Sequence, residues 1–279
     1  MSLPVLHELR AIFRDAVMEE AFHRYGFLVV PFLSPEQVAE LRQEWDALDA
    51  PIHQMGFSAS VMSADRAYRD SVDAAVRAAF APGLQAMCDA YRFGFGNFVA
   101  KRAGATDGIP IHQDGMFVDE HRFESINLWV PLVTVGPENG CLRVMPGSHG
   151  LNRATRGTNR RFPYPELNAV ITERYLVDVP MRAGEACVMS QRTFHTSHPN
   201  LTGEHRVCAS ALAVPDESAL YYLYEPMDGS SIEVYAVDDA FYRYQVFGSP
   251  VVGIDAIAQL TSYADVVDEK SLETAFAAF

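Results

Sequence analysis

The sequence predicts a mainly β fold with flanking helices, and three observations support this prediction. From residue 93 onward, short apolar segments are separated by turns that contain Gly, Pro, Asn and Glu, a pattern typical of a β-sandwich or barrel. Before residue 93, apolar side chains recur at helical spacing. Of the 279 residues, 49% are hydrophobic, so we expect residues 1–279 to form one domain with a substantial core.

The N-terminal region, residues 1–92, is expected to supply helices around one short strand. Residues 11–26 place apolar side chains near one face of a helix, and Gly26 is suited to end it. The apolar run at residues 27–32 then predicts a strand, because it is short and bounded by Gly and Ser.

A second helix is expected directly after this strand. Ser34 can cap its N-terminus, Pro35 suits the first helical position, and Gln37 completes a capping box. A third helix is expected over residues 71–79. Proline lacks an amide hydrogen and glycine is flexible, so Pro82 and the glycine after it should interrupt that helix before a second piece reaches about residue 91.

The β core is expected at about residues 93–225. Its predicted strands lie within residues 93–102, 125–132, 141–147, 175–181, 185–191 and 206–214. Residues 150–175 interrupt this pattern with a long, irregular and locally basic insert, which is typical of a binding loop or lid. The C-terminal region, residues 226–279, is expected to be helical, chiefly at residues 254–267.

Composition excludes several classes of function. The 22 Lys and Arg residues are outnumbered by 36 Asp and Glu, and the formal charge of −14 argues against nucleic acid or an anionic membrane as the main partner. No run of eighteen apolar residues and no secretory signal is visible. The four scattered cysteines predict buried thiols in a reducing compartment, so we expect a cytoplasmic protein.

The segment GIPIHQDGMF, residues 108–117, contains the first chemical signal. Alternate residues of a strand point to the same face, so His112 and Asp114 share one side if the segment is extended. A carboxylate on an inward face must be hydrogen-bonded, paired or bound to a metal, because its burial is otherwise costly. His195, His198 or His205 downstream could complete a site with this pair. Two histidines and one carboxylate that leave other positions open form a set that suits non-haem Fe(II).

Three stretches resemble the phytanoyl-CoA dioxygenase family of Fe(II)/2-oxoglutarate oxygenases. They are HQDG, NLWVPLVTVGPENGCLRVMPGSHG and FHTSHPNLTGEHR, and the resemblance covers most of residues 20–215. It implies a double-stranded β-helix, which is a jelly-roll or cupin-like fold. It also implies that the protein uses Fe(II), 2-oxoglutarate and O₂ to oxidise a small molecule.

The resemblance assigns roles to individual residues. The metal ligands it implies are His112, Asp114 and His195. Arg206 matches the arginine that binds the distal carboxylate of 2-oxoglutarate, and a guanidinium suits that task because it meets a carboxylate with two parallel donors. Further cosubstrate contacts are expected from Trp129, Lys101 and Asn127.

Some of these roles have simpler alternatives. His112 and Asp114 alone would suit a structural hydrogen-bonded pair, and Arg206 alone would suit a surface arginine. His198 competes with His195 as the third ligand, but three residues further along a strand a side chain faces the other way. The resemblance favours hydroxylation over halogenation, because related halogenases have a small residue where this chain has Asp114.

Four residues are candidates to contact the substrate. These candidates are Arg192, Arg160, Arg161 and Met116. The five arginines of the insert suggest a lid that closes over an anionic substrate. Two other classes of function are considered: a non-oxidative cupin-like metalloenzyme, and a binding protein of the same fold without turnover. Arg206 argues against the first, because such an enzyme needs no anchor for 2-oxoglutarate.

Overall fold

The computed structural model describes residues 10–48, 56–229, 231–277 and 279. The helices are α1 (Ala16–Tyr25), α2 (Pro35–Ala47), α3 (Arg66–Met87), α4 (Asn168–Val170), α5 (Phe241–Tyr244) and α6 (Glu269–Phe276). The strands are β1 (Phe27–Pro31), β2 (Phe57–Ala59), β3 (Tyr91–Lys101), β4 (Ile109–His112), β5 (Ile126–Pro131), β6 (Leu142–Val144), β7 (Val177–Val179), β8 (Glu185–Ser190), β9 (His195–Ser197), β10 (Arg206–Pro215), β11 (Leu220–Tyr224), β12 (Ile232–Val237) and β13 (Ala258–Leu260).

The ends of the first two helices follow from local sequence, as predicted. Gly26 ends α1 in the left-handed region at φ 77°, a conformation that favours glycine. The Ser34 hydroxyl accepts a hydrogen bond from the backbone of Gln37, whose side chain in turn accepts one from the backbone of Ser34. This reciprocal pair is the predicted capping box, and it fixes the direction in which α2 leaves β1.

The expected break in the third helix is wrong, because α3 runs without interruption from Arg66 to Met87 with Pro82 inside it. Val76, Phe80 and Leu84 recur at four-residue spacing and are all buried, so packing of this face outweighs the hydrogen bond that proline removes. Gly83 reflects close packing as well, since a β-carbon added there would lie 2.5 Å from a ring carbon of Phe32.

Two antiparallel sheets form the core of the fold. In the described part of the chain, one sheet has the strand order β1-β8-β5-β10-β3-β2 and the other has the order β4-β9-β6-β7. Side chains from both sheets meet in one buried cluster, for example Trp129 and Cys208 from the first with Leu142 and Val179 from the second. The sheets therefore pack face to face, the arrangement of a jelly roll.

Side chains alternate between the two faces of the larger sheet, and those on one face pack against helices. In β5, Leu128 and Val130 pack in the cluster that contains Val76 and Phe80 of α3, whereas Trp129 between them faces the other sheet. The helices α1–α3 thus cover one face of the larger sheet and leave its other face to line the space between the sheets. None of the helices in the described residues has the length and apolar character that crossing a bilayer demands.

The C-terminal region differs from the helical expectation. Residues 254–267 are extended and include β13, which pairs with β12 and extends the β11-β12 hairpin into a third sheet. Ile254, Ile257 and Val266 are exposed, so the apolar pattern in this stretch does not form a buried helical stripe. Backbone pairing with β12 outweighs the helical propensity, and helix is confined to α5 and α6 in the described residues after 226.

We predict that Gly83→Ala destabilises the protein although alanine is the better helix former. The gain in helix propensity is about 1 kcal/mol, whereas overpacking against Phe32 should cost about 1–3 kcal/mol. Urea unfolding would measure the change in the free energy of unfolding. In a Phe32→Leu background the overpacking should be relieved, so Gly83→Ala should destabilise less there. Ala78→Gly at an exposed position of the same helix measures the contribution of helix propensity alone. A stabilised Gly83→Ala variant would show that Phe32 does not restrict this position.

Candidate metal centre

The pairing of β4 with β9 brings two histidines together. His112 and His195 are direct register partners on these antiparallel strands, and their ring centroids lie 4.1 Å apart. Asp114 follows two residues after His112, and its backbone amide donates to the carbonyl of Gln191, 3.0 Å away. Residues separated by more than eighty positions in the chain therefore converge at one end of the smaller sheet.

The three side chains present a set of atoms that suits a divalent metal ion. The Nε2 atoms of His112 and His195 each lie 3.8 Å from Oδ1 of Asp114. The Nδ1 atoms lie 2.8 Å from the carbonyl of Pro110 and 3.0 Å from that of Thr193. A carbonyl can only accept, so each Nδ1 carries the proton and each Nε2 has a free lone pair for a metal.

The environment keeps the imidazole of His112 neutral and orients the acid. His112 lines a cavity between the sheets, and burial together with nearby His195 lowers the pKa of His112 to about 4. The second carboxylate oxygen of Asp114 accepts a hydrogen bond of 2.9 Å from the amide of Asn127. Asn127 therefore leaves Oδ1 of Asp114 directed at the histidines.

The main chain around Asp114 is held by a buried arginine from the basic insert. Nε of Arg156 donates to the carbonyl of Asp114 over 3.0 Å, and the carbonyl of Arg156 accepts from the amide of Met116 over 3.2 Å. The guanidinium also forms a 2.6 Å ion pair with Glu120, and both side chains are almost fully buried. Arg156 thus supports the metal site rather than a solvent-exposed lid, a role that the sequence did not reveal.

A cavity of about 340 Å³ extends from the three side chains between the two sheets. At one end lies Arg206, whose guanidinium carbon is 5.3 Å from the centre of the Trp129 ring. Arg206 is only 2% exposed, its Nε has no hydrogen-bond partner, and no carboxylate pairs with it among the described residues. A buried guanidinium without an anion is costly, so this end of the cavity suits an anionic group.

Neighbouring side chains of β5 connect this arginine to the metal site. Asn127, which contacts Asp114, and Trp129, which lies beneath Arg206, are two residues apart and face the same cavity. Residues two apart on a strand are about 7 Å from each other. A short diacid could therefore reach from the metal site to Arg206 along this wall.

Lys101 lies behind the cavity and is not part of its lining. Its ammonium group donates to the backbone carbonyls of Ser197 and His198, and burial together with nearby Arg206 lowers the pKa of Lys101 to about 7. Lys101 therefore contributes to the shape and charge of the Arg206 end through the backbone after β9. This geometry does not favour the direct contact between Lys101 and the cosubstrate that the resemblance implies.

Of the four candidate substrate contacts, Arg160 alone lines the cavity. Arg192 forms a buried ion pair with Glu124, and Arg161 is exposed. Met116 packs in a separate apolar cluster with Leu223 and Ile232. Ion pairing thus occupies Arg192 and apolar packing occupies Met116, which leaves Arg160 as the candidate that lies at the cavity.

The other histidines near the motif have separate structural partners. His198 pairs with Asp178 at 2.7 Å, so the structure brings His195 rather than His198 to His112 and Asp114. Cys141 lies close enough to His198 and Asp178 for these three to form a second cluster of ligand types. His149 is in contact with the carbonyl of His23 at 3.0 Å, as expected of a turn residue with a structural hydrogen bond.

Several cavity residues were missed by sequence reasoning. Alternation from Arg206 along β10 would have found Ser210, and alternation from Met189 would have found Gln191. No local pattern pointed to Phe117 or Phe247, because their shared position depends on how distant loops pack.

Comparison with known proteins decides the family. The sequence profile described as phytanoyl-CoA dioxygenase matches residues 22–208 of the chain. The protein belongs to the phytanoyl-CoA dioxygenase family. A curated phytanoyl-CoA dioxygenase from Arabidopsis thaliana is 30% identical over 112 residues, which are 39% of this chain and 39% of that relative. The match to this relative thus spans well under half of its length.

Solved structures with the same fold support the jelly-roll prediction. The non-heme alpha ketoglutarate dependent carbocyclase SnoK from nogalamycin biosynthesis is 17% identical, with a TM-score of 0.58 over 86% of this chain and 94% of that chain. EctD from S. alaskensis, solved with 2-oxoglutarate and 5-hydroxyectoine, is 21% identical, with a TM-score of 0.51 over 81% of this chain and 84% of that chain. These likenesses confirm the predicted fold class.

We predict that Arg156→Met strongly destabilises the protein because it leaves the Glu120 carboxylate unpaired in the interior. Removal of one partner of a buried ion pair costs about 3–5 kcal/mol. The double variant Glu120→Gln with Arg156→Met should recover much of this loss, since no unpaired charge remains. Urea unfolding of both variants provides the measurement, and equal stability of the single and double variants would contradict the buried pairing.

Proposed function

We propose that the protein is a non-haem Fe(II)- and 2-oxoglutarate-dependent dioxygenase that oxidises a C–H bond of a small molecule and releases succinate and CO₂. One observation carries this proposal. A cavity has a two-histidine, one-carboxylate set at its wall and a buried, unpaired arginine at its end. This combination serves a metal ion and an anionic cosubstrate together, and membership of the family supports it.

Each residue of the site has a role in this proposal. His112, Asp114 and His195 hold the metal, and their set of donors suits Fe(II) with positions left open. Bound Fe(II) supplies the oxidising chemistry with O₂ when 2-oxoglutarate is converted to succinate and CO₂. Arg206 holds the distal carboxylate of 2-oxoglutarate, and Asn127 fixes the carboxylate of Asp114.

Hydroxylation is the reaction we propose, rather than halogenation. Asp114 occupies a position that a halogenase of the resembled type leaves to a small residue, and its Oδ1 is directed at both histidines. Three protein ligands thus surround the metal position.

The alternatives fit the geometry less well. A non-oxidative cupin-like metalloenzyme has no use for an unpaired, buried guanidinium placed beside the metal site. A binding protein without turnover would not need two imidazoles whose Nε2 atoms are free to bind a metal. Since SnoK takes part in nogalamycin biosynthesis, we propose a biosynthetic small molecule as substrate here.

We also propose that residues 1–279 form one domain and that the protein acts in the cytoplasm. The helices α1–α3 share one hydrophobic cluster with the larger sheet, which supports a common core. Cys88, Cys141, Cys187 and Cys208 are buried and free, as expected in a reducing compartment.

Anaerobic addition of Fe(II) and 2-oxoglutarate should produce a weak visible charge-transfer band, because the cosubstrate chelates the metal. Arg206→Leu should weaken 2-oxoglutarate binding about 10- to 100-fold, since hydrogen bonds to a charged group contribute about 1.5–3 kcal/mol. Titration of the band with 2-oxoglutarate measures both effects. Arg102→Leu, which replaces a nearby exposed arginine, is the matched control.

Three results would count against the proposal. Absence of the band together with tight Zn(II) binding would favour the non-oxidative metalloenzyme. An unchanged affinity in Arg206→Leu would show that this arginine does not hold the cosubstrate. Formation of the band without succinate production in the presence of any tested small molecule and O₂ would favour a binding protein.

A further inference from the structure

The cavity is longer than the part that a cosubstrate would occupy. Arg206, Ser210 and Leu212 all line it along β10, and six residues of a strand span about 20 Å. Arg206 leans over Trp129 at one end, whereas Leu212 lies at the level of Asn127, its register partner on β5. The end of the cavity at Leu212 therefore lies away from Arg206 and next to Asn127, which contacts Asp114.

Aromatic rings surround this far end. Phe95 is the register partner of Leu212 on β3, and its ring centroid lies 5.6 Å from that of Phe117 and 6.2 Å from that of Phe247. The rings of Phe117 and Phe247 are 6.1 Å apart, and all three line the cavity. Rings at these distances form a continuous apolar wall, which suits another ring or an apolar chain.

The charges at this end are already paired. Arg160 reaches the cavity from the basic insert, but its guanidinium contacts Glu225 at 3.2 Å, the hydroxyl of Ser262, and the carbonyl of Tyr263 at 2.6 Å. Glu225 also accepts from the backbone amide of Gly157. An anionic substrate would therefore have to compete with a buried carboxylate for Arg160, so the arginine-rich insert does not offer a free cation here.

Gln191 is a buried polar side chain of the cavity whose amide oxygen lacks a partner. Gln191 is 2% exposed and lines the cavity two residues after Met189, and its Oε1 has no hydrogen-bond partner in the described part of the chain. Its backbone carbonyl accepts from the amide of Asp114, which places Gln191 beside the metal site. A buried amide without a partner is unfavourable, so a ligand that satisfies it is favoured.

We propose that the far end of the cavity binds an uncharged, largely apolar ring compound, and that Gln191 hydrogen-bonds to a hydroxyl group of this compound. The inference rests on the proposed function, because it takes this compound to be the substrate. It differs from the expectation of an anionic substrate and from a coenzyme A thioester, whose phosphates require unpaired cations. A hydroxyl group suits Gln191 because it can both donate to and accept from an amide.

Matched probes can test this assignment without knowledge of the natural substrate. The anaerobic complex of the protein with Fe(II) and 2-oxoglutarate is titrated with 2-naphthol, naphthalene, 2-naphthoate and octanoyl-CoA, and binding is followed by ligand fluorescence or by isothermal calorimetry. We expect 2-naphthol to bind at least about tenfold more tightly than 2-naphthoate, which has the same rings and a negative charge. Tighter binding of 2-naphthoate or octanoyl-CoA would overturn the proposal.

The Gln191→Leu variant tests the hydrogen bond separately. It should weaken 2-naphthol binding about tenfold and leave naphthalene binding unchanged, because naphthalene has no group for the amide to contact. Gln191→Met is a second variant of similar size if the first is poorly folded, and exposed Gln85→Leu is the matched control. Unchanged 2-naphthol affinity in folded Gln191→Leu would show that Gln191 does not recognise the ligand.

The same titrations distinguish failure of this inference from failure of the proposed function. If the charge-transfer band forms but anionic probes bind more tightly, the dioxygenase assignment stands and the substrate class is wrong. If the band does not form but 2-naphthol is still preferred in the absence of Fe(II), the cavity assignment stands and the dioxygenase assignment is wrong.

Discussion

The pairing of β4 with β9 is the constraint on which the site depends. It places His112 opposite His195, and Asp114 can join them only because it follows β4 on the same face. A shift of one residue in this register would turn an imidazole away and leave the carboxylate without partners. The register of β4 against β9 shifts between Ile109 and His112, directly before the histidine whose orientation the site requires.

Buried ion pairs hold the loop that follows this strand. Arg156 joins the Asp114 carbonyl to Glu120, while Arg192 pairs with Glu124, and the side chain of Gln113 donates to the carbonyl of Arg192 over 2.7 Å. Burial raises the pKa of the Glu124 carboxyl, and the nearby Arg192 guanidinium opposes this effect. Such pairs add little net stability, but breaking one of them is costly. They therefore hold the loop after β4 in one conformation.

Local rules predicted the parts of this fold that depend on few residues. The capping box of α2, the end of α1 at Gly26 and the shared face of His112 and Asp114 each follow from spacing over a few positions. The uninterrupted helix around Pro82 could not be predicted, because its buried face is set by contacts with distant strands. Arg156 was missed for a related reason, since a buried arginine and an exposed one look alike in sequence.

The basic insert shows that composition alone does not tell which arginines are free to bind a ligand. Its arginines suggested an anionic ligand, yet Arg156 and Arg160 are neutralised by Glu120 and Glu225 from outside the insert. Arg206 belongs to a strand of the core instead, and it is the arginine that remains without an anion beside the cavity. Whether a cation recognises a ligand thus depends on which carboxylates fold against it, because a buried guanidinium pairs with the nearest available anion. Strand β10 runs along the cavity from one end to the other. Arg206, which has no anionic partner among the described residues, is its first residue, and Leu212 lies at the apolar wall of the other end.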